Sequence, residues 1–483
     1  MLYCKRTFGP GKKPNVSLDL ALHAITAWVY PALLVLFFFG LTIFFHELGH
    51  FLIARRRGMK IERFSVGFGP KIWGYRKHGI DYRISWFPFG GYVALPQMSP
   101  MEAIEGGTES SADELPPASP NSKILVALAG PAMNIVFALV LAVIVWGVGA
   151  PINLPVVGWV EPDSAEARAG IRLNDRITAV NDKKINTWDQ FQIAVALSRE
   201  PMVKVTVDRG GQPFSFLLET TVNEKLGIKL LDLNPREHPF ARDVIAHSPA
   251  EQAGIQAGDQ FVSIEGMPIY SSEQVIKLIR SRRDQPTDLK MLRDGQTISV
   301  TVVPVLDPKD QVVRMGVQLG DKLELQRPGP TPVEQFKEVF VSMGQLVGAI
   351  YHSKETGVGV HNIQGPVGIL PAWWYEIAVG GVRRGLVIAV LLNINLAIIN
   401  LLPIPILDGG HIAFALAEVV RRRPLNARLV HVTSLSFAVL LITFMVYISV
   451  NNFEQWFLPD HAKVRASVHS NESPPTETPA PQP

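Results

Sequence analysis

Phe44-Phe45-His46-Glu47-Leu48-Gly49-His50-Phe51 lies inside an apolar run from about Val29 to Ala54. On a helix, positions i and i+4 share a face, so His46 and His50 can offer two imidazole nitrogens to one Zn²⁺. Glu47 stands beside them, placed to take a proton from a water at the ion. The run is long enough, at about 1.5 Å per residue, to cross a hydrocarbon layer of about 30 Å. Its reading is therefore hydrolytic chemistry carried on a membrane-spanning helix. Such a site needs a third ligand and a route for water.

At 483 residues and 47% hydrophobic, the chain reads as a mixture of membrane and soluble parts. Its 46 basic and 43 acidic side chains nearly balance, which gives no footprint for nucleic acid. A single cysteine, Cys4, excludes an intrachain disulfide and a Cys-rich zinc site, so a metal must be held by His and carboxylates. Residues 1 to about 20, with Lys5, Arg6, Lys12 and Lys13, read as a polar tail that could be mistaken for the basic start of a leader. The apolar run that follows is too long for one, and its removal would take the His-Glu-His motif with it.

Arg55, Arg56, Arg57, Lys60 and Arg63 follow the first run and assign that end to the cytoplasm, against the pull of the basic N-terminal tail. Between 61 and 98, glycine-bounded alternation predicts a small β-structure near the membrane face, either a mere connector or a functional element. Residues 99–119 contain no Lys or Arg and read as a mobile loop. A second run, about Ile124 to Ala150, carries Gly130-Pro131-Ala132-Met133-Asn134. Small residues there permit close helix contact, and Asn134 suits a hydrogen bond to a neighbouring helix. The stretch from about 151 to 325 is soluble in composition and repeats itself. Ala169-Gly170-Ile171-Arg172-Leu173-Asn174-Asp175-Arg176-Ile177 returns as Ala253-Gly254-Ile255-Gln256-Ala257-Gly258-Asp259-Gln260-Phe261. These units resemble tandem PDZ domains, which implies a sheet edge and groove for peptide or C-terminal ligands, or a steric shield over the membrane part. Thr331 to about Ser353 reads as an amphipathic helix. A third run begins near Leu386, and a fourth covers about Leu429 to Val450. Arg421, Arg422, Arg423 and Arg428 lie between these two.

The third ligand follows from cost. An aspartate at membrane depth costs about 2.5–3.5 kcal/mol even on lenient scales, so Asp408 needs a metal, a cation or a wet cavity. With four spans, the first and third run in the same direction, and His46 stands roughly 13 Å before its Arg cluster. The triad can thus meet at one depth. Pro403 and Pro405 free backbone carbonyls, tolerated at such depth only where they are buried or line a wet cavity. Asn400 and Asn395 place amides along the same helix, either to hold substrate and a developing oxyanion or to bond a neighbouring helix. His411 rivals Asp408 as a ligand on spacing alone, although a packed or solvated role suits it better.

His46-Glu47-Leu48-Gly49-His50, Asn400-Leu401-Leu402-Pro403-Ile404-Pro405-Ile406-Leu407-Asp408-Gly409 and the tandem insert together resemble the bacterial site-2 protease family, of the RseP type. The likeness covers about residues 28 to 455. It implies Zn²⁺ on His46, His50 and Asp408, Glu47 as general base, and cleavage within the transmembrane segment of a single-span substrate. An anti-sigma factor or a remnant signal peptide is the substrate it suggests. Gly67, Phe68 and Gly69 resemble the membrane-associated β element that receives substrate as an added strand, expected here along the edge at 80–86. A multi-pass α-helical membrane protein with four transmembrane helices follows, carrying an inserted pair of α+β PDZ-like domains and a small β element. The expected divisions are a tail (1–27), a first membrane part (28–150), PDZ-like copies (151–222 and 223–325), a helical connector (326–384), a second membrane part (385–458) and a disordered tail (459–483). Partners are membrane substrates, the lipid bilayer and ligands of the copies, with no nucleic acid. The inner membrane is the expected location, with the site toward the cytoplasm and the copies in the periplasm. Two other classes compete: a PDZ adaptor with a decayed site, opposed by intact ligands, and a metal or proton transporter, opposed by only four spans without inverted repeats.

Overall fold

The computed structural model describes residues 29–98, 116, 118–222, 228–307, 312–359 and 365–457. The expected tails and nearly all of the expected loop at 99–119 lie outside the described residues. The chain divides into two compact units, residues 1–145 with 370–439, and residues 146–369 with 440–483. Among the described residues four helices are long and apolar enough to cross a membrane.

In the first unit, helix α1 (Tyr30–Arg56) begins with a proline in its first turn and ends on Arg55 and Arg56, a polarity that suits the helix dipole. Strands β1 (Arg63–Lys77) and β2 (Ile80–Ala94) follow, then helix α2 (Pro120–Val148). The backbones of α1 and α2 approach closely because Gly49 has no side chain; a Cβ there would run into the Ala129 carbonyl. Helix α3 (Pro366–Asn400) is two helices merged across a kink at Gly381, with φ 69° and ψ −169°. Its apolar run as read from the sequence is the segment after the kink; the helix itself starts earlier, within the expected connector. Asn393, fully buried, donates to Thr42 Oγ1 at 2.9 Å. A methyl at Gly385 would stand 3.7 Å from the Phe38 ring. The partner numbers rise together, so α1 and α3 run in the same direction, as the site requires.

After Asn400 the chain leaves the helix through Pro403 and Pro405, and helix α4 (Asp408–Arg421) restarts at Asp408. Ser434 of helix α5 (Ala427–Phe457) donates to the Pro405 carbonyl at 3.3 Å, satisfying one acceptor released by the break. Lys123 at the start of α2 pairs with Glu418 of α4 at 2.9 Å. The β element is more folded than a plain hairpin. Arg63–Val66 registers with Gly91–Ala94 on one side and with Asp81–Ile84 on the other, while Trp73–Lys77 registers with Ile80–Ile84. The stretch at 80–84 is therefore interior, flanked on both sides, and is not the free edge expected for strand addition. Ile72, Trp73, Tyr75, Ile84, Trp86 and Phe87 are exposed on this element.

In the second unit the repeat is structural. Each copy buries a core of matching positions 84 residues apart: Ile177 and Phe261, Val180 and Ile264, Phe191 and Val275, Val207 and Met291. Each opens a short helix with a serine N-cap, Ser164 or Ser248, whose hydroxyl accepts a backbone N–H of the first turn. In each, an arginine forks onto a buried aspartate. Arg209 Nε donates to Asp175 at 2.7 Å, and Arg293 Nε to Asp259 at 2.7 Å. Leu233–Pro235 pairs with Val157–Val160, as Val317–Asp321 pairs with Pro239–Val244. The first copy thus closes on a strand beyond the boundary at 222 read from the sequence. Pro332–Tyr351 forms the expected amphipathic helix, started by a Thr331/Glu334 capping box and leaving Val333, Phe340, Val347 and Tyr351 exposed.

Burial pushes the Asp259 carboxyl up, but the Arg293 fork and the Gln256 N–H outweigh it, leaving the carboxyl below its usual range. A depressed carboxylate stabilises the fold above its unfolded pKa, about 3.9, and that contribution is lost as pH falls through the folded value. Arg293→Met is expected to destabilise its copy near neutrality, because it leaves the buried Asp259 carboxylate without its partner. The gap to wild type should narrow below about pH 4. Chemical denaturation across pH measures both.

Candidate metal centre

α1 delivers His46, Glu47 and His50 within a turn of one another, all partly or fully buried. Asp408 arrives at the first position of α4, where the unpaired N–H groups of a helix start favour an anion. Its carboxylate bridges the histidines: Oδ2 lies 3.3 Å from His46 Nε2, and Oδ1 lies 3.4 Å from His50 Nε2. The two Nε2 atoms are 3.2 Å apart. Four ligands at Zn²⁺ bond lengths of about 2.0–2.1 Å form a tetrahedron with edges of about 3.3–3.4 Å. The Nε2–Nε2 separation is close to such an edge, and one donor atom from each of His46, His50 and Asp408 lies within 4.8 Å of the others, so the set fits a single Zn²⁺. Among the described residues this is the one cluster of His, Cys, Asp or Glu tight enough to hold a metal.

α2 closes the back of the site. His50 Nδ1 lies 2.8 Å from the Val126 carbonyl, and the Asn134 amide nitrogen lies 3.1 Å from His46 Nδ1. Gly130 passes between them; a Cβ there would strike both imidazoles. Glu47 is 6% exposed and packs at its Cγ against Gly91, where an added Cβ would come within 2.8 Å.

The chain belongs to peptidase family M50. The family profile matches residues 34–444, nearly the whole described chain. Over 454 residues, the chain is 28% identical to a Salmonella typhimurium protein named regulator of sigma-E protease RseP, covering 86% of this chain and 96% of that one. It is 30% identical over 411 residues to a Vibrio cholerae protein whose name contains the words zinc metalloprotease, covering 80% of this chain and 90% of that one. A PDZ domain from Listeria monocytogenes overlaps 17% of this chain and 86% of its own length, at 19% identity and a TM-score of 0.16, too low to bear on the fold.

In this M50 peptidase the structure brings together His46, His50 and Asp408, with Glu47 on the same helix. Asn400 and Asn395 are half-buried, and neither carboxamide has a hydrogen-bond partner among the described residues. Asn400 stands two turns beyond Asn393, on the face that Asn393 turns to α1, whereas Asn395 points about 200° away. Gly67, Phe68 and Gly69 lie in β1, where the Phe68 ring stacks on Tyr92. The β element meets Glu47 at Gly91, which the sequence marked only as a strand-bounding glycine. His411 is buried, and its Nε2 has no partner among the described residues; it stands outside the ligand cluster. Asn393 also went unread, since nothing but helical phase separates it from Asn395.

The two glycines separate two failures. Gly130→Ala should displace both imidazoles and strip metal, while Gly91→Ala should disturb Glu47, leave metal content near one per chain and lower turnover about 10²-fold. Metal analysis beside cleavage rates checks both.

Proposed function

We propose that this chain is a zinc-dependent intramembrane endopeptidase in which His46, His50 and Asp408 hold the metal and Glu47 is the general base. The observation that carries the reading is the gathering of donor atoms of His46, His50 and Asp408 within 4.8 Å of one another, beside a buried glutamate on a membrane-spanning helix. Bound there, Zn²⁺ supplies Lewis acidity and brings the pKa of a water toward about 7.

This chain's residues do the rest. Glu47 takes a proton from the attacking water and returns it to the leaving amine. Its burial keeps competing solvent from the carboxylate. Asn400, unpaired and on the α1-facing side of α3, suits a hydrogen bond to the substrate backbone or the developing oxyanion; Asn395, on the opposite face, has the weaker claim. The substrate adds as a strand at Gly91–Ala94, which is paired on one side only among the described residues and lies against Glu47. Gly67-Phe68-Gly69 then serves by shaping the element behind that edge.

The substrate class is the transmembrane segment of single-span membrane proteins, within a regulatory cascade such as one ending in an anti-sigma factor. The relatives named as regulators of sigma-E support it. The repeated copies are tandem PDZ-like modules, the first ending near residue 236, facing the periplasm. The Arg clusters at 55–57 and 421–423 support a metal centre toward the cytoplasm.

In detergent, the purified protein is expected to cut a single-span reporter. Glu47→Gln should abolish cleavage with zinc content near wild type, and a zinc chelator should abolish it with restoration on adding zinc. Cleavage that survives in Glu47→Gln removes Glu47 as the base; cleavage that survives the chelator removes the metal.

A further inference from the structure

Val126, Gly130 and Asn134 stand at i, i+4 and i+8 on α2, one stripe facing the two histidines. At His50 the chemistry is settled by the partner. A carbonyl only accepts, so Nδ1 carries the proton toward Val126 and Nε2 is left with its lone pair for a metal. At His46 the partner is a carboxamide, which can offer either a donor or an acceptor. The Asn134 nitrogen lies 3.1 Å from Nδ1, while Oδ1 is fully buried with no partner among the described residues. A half-turn of the carboxamide exchanges the two atoms and puts Oδ1 on Nδ1, where it accepts the ring N–H and leaves the Nε2 lone pair, 3.3 Å from Asp408, for a metal.

We propose that Asn134 is a positioning residue of the metal centre: its Oδ1 accepts the Nδ1–H of His46 and fixes the tautomer that presents Nε2. The role rests on the proposed reading of the triad as zinc ligands. It requires an acceptor at position 134, not merely a side chain of the right volume.

That requirement gives the test. Zinc affinity of the full chain in detergent is measured by competition with a chromophoric chelator, for wild type, His46→Ala, Asn134→Asp, Asn134→Leu and Asn134→Met. Asp keeps the shape and the acceptor; Leu and Met keep bulk without it. Asn134→Asp should hold zinc within about threefold of wild type, and both apolar variants should weaken it by about 10–100-fold. The visible bands of the cobalt-loaded protein should coincide for wild type and Asn134→Asp and change in Asn134→Leu. Apo-state helix content and melting are followed in parallel. Should the apolar variants not fold, Asn134→Asp alone decides, since zinc binding in it as weak as in His46→Ala overturns the acceptor role. Wild-type affinity in Asn134→Leu or Asn134→Met overturns it too, with His46→Ala still weak showing that the triad itself stands. Unchanged zinc binding in His46→Ala brings down the triad and the Asn134 role together.

Discussion

A carboxylate at membrane depth is tolerable only against a metal, a cation, hydrogen-bond donors or water, and Asp408 is the residue on which the first unit turns. Its two oxygens are spread between two imidazoles at 3.3 and 3.4 Å. Everything near it serves that meeting. The helix bearing it must begin at Asp408, so the preceding helix must end, and Pro403 and Pro405 end it. The turn between them has to be tight. Gly409 and Gly410 make it so, because a side chain at either would strike the carbonyls of Leu401, Leu402 or Ile404. Placing the acid at a helix start adds the dipole to the histidines, a term of about 0.3–2 kcal/mol.

The same economy governs the helix pairs. In lipid there is no hydrophobic drive between helices, so α1 and α2 are joined by small residues and polar contacts. Gly49 admits the Ala129 backbone and Gly130 admits both rings, and the close approach then lets two α2 groups reach the histidines from behind. α1 and α3 use a different device: the buried Asn393 amide donates to Thr42 one turn before His46, and to its own Ala389 carbonyl. A polar bond there fixes both the rotation and the height of α3. Without that register the break after Asn400 would bring Asp408 out at another depth.

Much of this was legible because it is encoded by spacing. His46 and His50 at i+4, the prolines before Asp408 and the repeat between Ala169 and Ala253 all survive translation into one dimension. The missed features depend on neighbours in space. Arg209 and Arg293 look like any surface arginines until the copies are laid over one another and each is found on the aspartate of its own repeat. Residues 80–84 read as an edge because alternation shows which face a strand buries, never how many strands flank it. The first copy's closing strand at 233–235 pairs with the strand that opened it, and a linear reading cuts it off. Asn393 was passed over for Asn395 since amides two residues apart differ only in helical phase.

The position of Gly91 bears on a problem any enzyme of this kind must solve. A helical peptide bond in a membrane has its carbonyl engaged and its faces covered, and opening several such bonds in hydrocarbon would strand donors and acceptors at several kcal/mol each. The opened segment must therefore find new partners where it is opened. Gly91–Ala94 carries a backbone edge paired on one side only among the described residues, and its glycine touches the Glu47 side chain. On the proposed reading, an added strand there would exchange helical hydrogen bonds for sheet bonds beside that carboxylate. A bulkier residue at 91 would push strand and glutamate apart. The absent side chain thus lets the β element come up against the Glu47 side chain.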